Sequence, residues 1–177
     1  FARNFQSVPV SLIGIAFSIA AFPVLSRVAA GGDRGRFGRL VRDNVLLIGG
    51  LSVLAGIALA LVSGIAIRLL LGGEAFDDED VAVTTTLLVV FAISVPLESL
   101  THVLARAVYA TRHTILPVIA SLVGLGTTIL ALELLRDSQG LVAVPLAFGA
   151  GMAVRVVILA GTVAWRIRVL PEVAAEP

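Results

Sequence analysis

Five long apolar segments, 5–25, 45–71, 81–105, 115–135 and 141–164, take up most of the 177 residues. A helix needs roughly 20 mostly apolar residues to cross a bilayer. Only helices or closed barrels satisfy their own backbone polar groups in lipid. Barrel strands alternate in polarity and need about 10 residues each. These runs are longer and continuously apolar. The sequence therefore predicts an all-α, polytopic bundle of membrane-spanning helices, with 1–177 forming part of a transmembrane domain.

The charges between the segments orient the bundle. The connection 26–44 carries Arg27, Arg34, Arg36, Arg39 and Arg42 against Asp33 and Asp43. The connection 72–80 carries Glu74, Asp77, Asp78, Glu79 and Asp80 and no base. The third holds Arg106, Arg112 and His113, the fourth is short and nearly neutral, and Arg166 and Arg168 follow the last segment. Arginine-rich loops stay in the cytoplasm. Residue 1 is then expected outside and residue 177 in the cytoplasm. Within 26–44, Phe37, Leu40 and Val41 recur at helical spacing among the arginines. They fit either a short interfacial helix with its arginines at anionic headgroups or a plain basic loop. Topology accounts for these charges, so no nucleic-acid partner is expected.

Composition removes several chemistries. All 13 basic residues are arginine and there is no cysteine. Lysine-based phosphate loops, thiolate metal sites and disulfides are excluded. The acidic run 77–80 lacks the spaced ligands and central glycine of a calcium loop. It more simply favours a helix N-terminus at Val81. No nucleophile–base pair, metal cluster or nucleotide loop stands out, so no enzyme, metal or cofactor is expected. The first residue is not methionine, which suggests a piece of a longer protein.

Ionisable groups at membrane depth are costly and usually face a cavity or a partner. Glu98, His102 and Arg106 follow one another at every fourth residue on the third segment. They either line a hydrophilic cavity that attracts an anion, with Glu98 balancing the bases, or close a helix contact as a self-compensated ladder. Arg155 sits too deep in the fifth segment for easy snorkelling. It is expected to reach a cavity or pair with Glu98, unless the span is shifted and leaves it shallower. Arg3, Asn4, Gln6 and Ser7 crowd the outer end of the first segment, either at the same cavity or at headgroup level.

Small residues mark close helix approaches. Ser52, Gly56, Ala60 and Gly64 give the second segment one narrow face. Gly149 and Ala153 offer a shorter one in the fifth. Pro96 is interior and is expected to kink the third segment. Pro9 is expected to break the outer turn of the first.

Three motifs in register resemble the MviN/MurJ lipid II flippase family. The first is Arg3-Asn-Phe-Gln-Ser-Val-Pro9, followed by Ser11-Leu-Ile-Gly14-Ile-Ala16 and Phe22-Pro23-Val-Leu-Ser26. The second is Leu71-Gly-Gly73-Glu-Ala75-Phe76-Asp77. The third is Val103-Leu-Ala-Arg106-Ala-Val-Tyr109-Ala110, with Thr114 and Pro117 behind it. The resemblance implies helices eight to twelve of a fourteen-helix transporter of the multidrug/oligosaccharidyl-lipid/polysaccharide exporter superfamily. It implies a lipid-linked peptidoglycan precursor as substrate, a bacterial inner-membrane location and a first lobe outside this chain. The family's arginine near the start of helix eight falls at Asn4, with Arg3 one place earlier. His102 stands where lysine is frequent, keeping a basic group whose charge varies near neutrality. His113 stands where an acid is usual. Another exporter of the superfamily, or a non-transporting scaffold for wall-synthesis proteins, would share most of these features.

Overall fold

A computed structural model describes residues 2–71 and 78–170. The motif 71–77 and the acids Glu74 and Asp77 lie almost wholly outside the described residues, so the expectations placed on them stay at the sequence. The first helical run consists of α1 (Ala2–Pro9), a π-helical stretch (Val10–Ile15) and α2 (Ala16–Ala30). Then come α3 (Arg34–Leu71), α4 (Asp78–Ala110), α5 (Ile115–Gln139), a short 3-10 turn (Gly140–Val142) and α6 (Ala143–Val169). Among the described residues, four uninterrupted helical runs are long and apolar enough to cross a membrane, against the five expected. The difference lies in the last one, Ile115–Val169, which holds both final apolar segments and folds back on itself at Gly140.

The helices outrun the apolar segments. The 38 residues of α3 give it a length of about 57 Å, well beyond the roughly 30 Å of a hydrocarbon core. The expected basic loop 26–44 is therefore mostly helix, and the connection shrinks to Gly31–Asp33. It is neither a separate interfacial helix nor a loop. A hydrogen-bond ladder does not stop where lipid stops, and nothing in 34–44 breaks it. Asp33 starts α3 by accepting the Arg36 amide at its side chain, 2.8 Å away. Phe37 and Val41 are buried while Arg36, Arg39 and Arg42 point outward.

The segments run up and down. Leu25, Phe37, Val41, Val108, Leu159 and Val163 share a core at one end of the bundle. Ala2, Ile67, Val81, Leu88 and Phe91 share another. The helix α4 passes through both and touches every other element. Two arginines tie down the first end. Arg34 donates from Nε to the Leu170 carbonyl at 2.6 Å, and Arg166 donates to Thr111 Oγ1 at 3.2 Å and to its carbonyl at 3.3 Å. Large apolar side chains such as Leu12, Leu54, Leu61, Ile65 and Leu122 cover the outside, as lipid contact requires.

Proline reshapes the first run without breaking it. Helix continues through Pro9, and the residues after it widen into a π turn. The Ala16 amide there reaches the Ser11 carbonyl, five residues back. In α4 the helix also continues through Pro96. Proline has no N–H, so it leaves the Ala92 carbonyl without its usual helical donor.

The α5–α6 turn rests on Gly140, whose φ of 53° and ψ of −130° suit glycine alone. A Cβ there would meet nothing within 4 Å. Gly140→Ala should therefore act through backbone strain only. It is expected to cost about 2 kcal/mol, read as a lower unfolding midpoint with unchanged helical content.

Candidate functional site

Glu98, His102 and Arg106 project from one face of α4, and each is half-buried. The helix repeat puts them in a row, and the surrounding helices decide what each one meets. Gln6 of α1 is fully buried and donates from Nε2 to Glu98 Oε2 at 2.8 Å. Arg3, one turn earlier on α1, places its guanidinium 3.6 Å from Glu98 Oε1. The same guanidinium lies 4.2 Å from the centre of the Phe148 ring on α6. Phe148 in turn packs at 5.8 Å against Phe91 of α4. A cation over an aromatic face is held by the ring's quadrupole without being neutralised. Three helices thus meet around the Arg3–Glu98 contact.

The basic end of the stripe is arranged differently. Arg106 lies 5.7 Å from the Phe22 ring of α2. The charges of Glu98, Arg155 and Arg106 all act on His102. Arg155 makes no ion pair with Glu98, contrary to one of the sequence expectations, because Arg3 and Gln6 already hold that carboxylate. Its stem packs beside Gly124 of α5, and its buried Nε has no hydrogen-bond partner. Arg155 lies on the order of 20 Å from the C-terminal end of α6. Bases therefore outnumber the single acid along this face, an arrangement that can attract an anion.

Asn4 and Ser7 point away from the bundle, and Ser7 Oγ donates to the Asn4 carbonyl at 2.7 Å. Of α1's polar residues, the structure brings Arg3 and Gln6 to the stripe and leaves Asn4 outside it. No signal in the sequence marks the aromatic partners, because Phe148 reaches Arg3, and Phe91 reaches Phe148, only through packing of separate helices. Among the described residues no cluster of three or more His, Asp or Glu side chains is arranged to hold a metal.

The small-residue face of α3 lies against α4. Ser52 and Gly56 are buried, while Ala60 and Gly64 are half-buried. A Cβ on Gly56 would sit 2.8 Å from the Ala92 carbonyl oxygen, the one freed by Pro96. The two features fit together: proline releases a carbonyl, and glycine lets the neighbouring backbone come up to it. Beside this contact an apolar groove of about 280 Å³, lined by Val53, Ile57, Val89 and Ile93, opens outward and contains none of the stripe residues.

Comparison with known proteins places this arrangement. The model of the family described as lipid II flippase MurJ matches residues 1–172. The chain belongs to the MurJ family. It is 27% identical over 141 residues to a probable lipid II flippase MurJ of Bdellovibrio bacteriovorus, covering 80% of this chain and 27% of that protein. It is 29% identical over 171 residues to a probable lipid II flippase MurJ of Thermotoga maritima, covering 97% of this chain and 34% of that one. The chain thus spans about a third or less of these relatives. A solved structure of lipid II flippase MurJ in an inward closed conformation superposes with a TM-score of 0.80 at 21% identity, over 92% of this chain and 34% of that one. The MurJ likeness gives the fold, that of a multi-pass membrane transporter family.

Proposed function

We propose that this chain is the second-lobe part of a transporter that moves an undecaprenyl-diphosphate-linked peptidoglycan precursor, lipid II, across the bacterial cytoplasmic membrane. The observation that carries the reading is the MurJ family match over nearly the whole chain. The protein would move a lipid and make or break no bond, so it is not read as an enzyme. Arg3, His102, Arg106 and Arg155 would present positive charge to the diphosphate, and the missing first lobe would close the cavity from the other side. Phosphate recognition by arginine in a low-dielectric site is strong. The topology proposed puts residue 1 outside and residue 177 in the cytoplasm. Its support is the row of arginines, including Arg36, Arg39, Arg42, Arg112 and Arg166, at one end of the bundle.

The test uses the full-length protein in bacteria depleted of their own lipid II flippase, with lipid II labelled at the outer leaflet. The intact protein should restore labelling. Arg3→Ala should reach the membrane in normal amount and lower labelling by about tenfold or more, the loss expected for one charged contact to phosphate. Normal labelling by that variant would remove Arg3 from the mechanism. No labelling by the intact, inserted protein would favour another lipid-linked substrate or a scaffold for wall-synthesis proteins.

A further inference from the structure

The exposed charge at the site is held by a half-buried one. The Arg3 side chain is 49% accessible and the Glu98 side chain only 17%. Their 3.6 Å separation is longer than the roughly 2.8 Å of a charge-assisted hydrogen bond. Glu98 is anchored independently by the fully buried Gln6 through its other oxygen. Arg3 is anchored independently by the Phe148 ring. Each partner therefore keeps its place when the contact between them opens.

We propose that Glu98 is an internal substitute for an anionic phosphate headgroup: it pairs with Arg3 in the empty protein and yields Arg3 to the phosphate when ligand arrives. This rests on the reading of Arg3 as a diphosphate contact. An unpaired cation in an apolar bundle is costly, and Glu98 removes that cost while no ligand is present. The exchange replaces one anion by another on the same guanidinium. Phe148 keeps the guanidinium in position during the exchange, since a ring attracts a cation without supplying a counter-charge. Gln6 keeps Glu98 hydrogen-bonded afterwards, and His102, already within reach of its charge, remains as the nearest basic neighbour on α4. The carboxylate makes the site selective, because a neutral headgroup cannot displace it.

The experiment measures binding of inorganic pyrophosphate to the full-length protein in detergent at low ionic strength. Glu98→Gln keeps an acceptor for Gln6 and removes only the charge. It should bind pyrophosphate about fivefold more tightly than the natural protein, the fold-change expected for one partly exposed ion pair. That gain should vanish when Arg3→Ala is added, because the competition runs through Arg3. Glu98→Asp, which retains the charge but shortens the reach, should give a smaller gain and serves if the amide variant is unstable. Unchanged or weaker binding by Glu98→Gln, with Arg3→Ala still impaired, would overturn the inference and leave the diphosphate contact standing. A gain that persists without Arg3 would also overturn it, because it would be general electrostatics. Absence of binding in every variant would overturn both.

Discussion

Gly151→Val is expected to push α6 away from α5 and markedly destabilise the full-length protein. A Cβ at Gly151 would collide with Thr128 Oγ1 and lie 2.6 Å from the Gly124 carbonyl oxygen. Gly124 is also closely placed from the other side, where a Cβ would lie 3.0 Å from the Gly151 carbonyl oxygen. The obstacle is backbone on both helices, so no rotamer change relieves it. Overpacking of this kind costs about 3 kcal/mol, a large share of the 5–15 kcal/mol typical of a folded domain. Unfolding of the purified protein in a denaturing detergent series reads the loss. Gly149→Val is the control. A Cβ there meets nothing within 4 Å, and its midpoint should stay within about 0.5 kcal/mol of the parent. Equal loss in both variants would show that the Gly124–Gly151 contact is not what holds the hairpin.

Gly14→Val should be nearly as damaging, through the contact between the π stretch and α4. A Cβ at Gly14 would sit 2.8 Å from Ser99 Cα and 2.9 Å from Ser99 Oγ. Ser99 is fully buried, with a hydroxyl that has no hydrogen-bond partner. The Gly14 carbonyl is also occupied, accepting from Ser18 Oγ. Separating the two backbones would shift α1 away from Glu98 as well, since Gln6 lies two turns before Gly14. The expected result is a loss of about 2–3 kcal/mol in stability together with weaker pyrophosphate binding. Full stability and binding in Gly14→Val would mean that the first run can slide on α4 at no cost.

These two glycines show what the sequence could and could not reveal. Length and apolarity pointed to long membrane-capable helices, because lipid imposes both on any helix that crosses it, although the last two expected segments lie in one helical run. The same signal missed the helix ends. Residues 34–44 are polar by the standard of lipid yet perfectly able to remain helical. Spacing found small residues in the last segment but chose Gly149 and Ala153. The contact falls on Gly151, because the rotation of α6 is fixed by Gly124 and Thr128 on another helix. The stripe was legible for the same reason in reverse: Glu98, His102 and Arg106 lie on a single helix, where a four-residue repeat is geometry enough. Their partners were not. Gln6 is 92 residues from Glu98, and no local periodicity reaches that far.

The wide turn at Val10–Ile15 sets which face of α1 meets α4. A π turn accommodates one more residue than the α-helix it interrupts. Everything upstream is then displaced by one place relative to a helix extrapolated backwards from Ala16. On that extrapolated helix, Arg3 occupies the position that residue 4 would take. A regular α-helix through 10–15 would instead turn α1 by about 100° and carry both Arg3 and Gln6 away from Glu98, which they now meet.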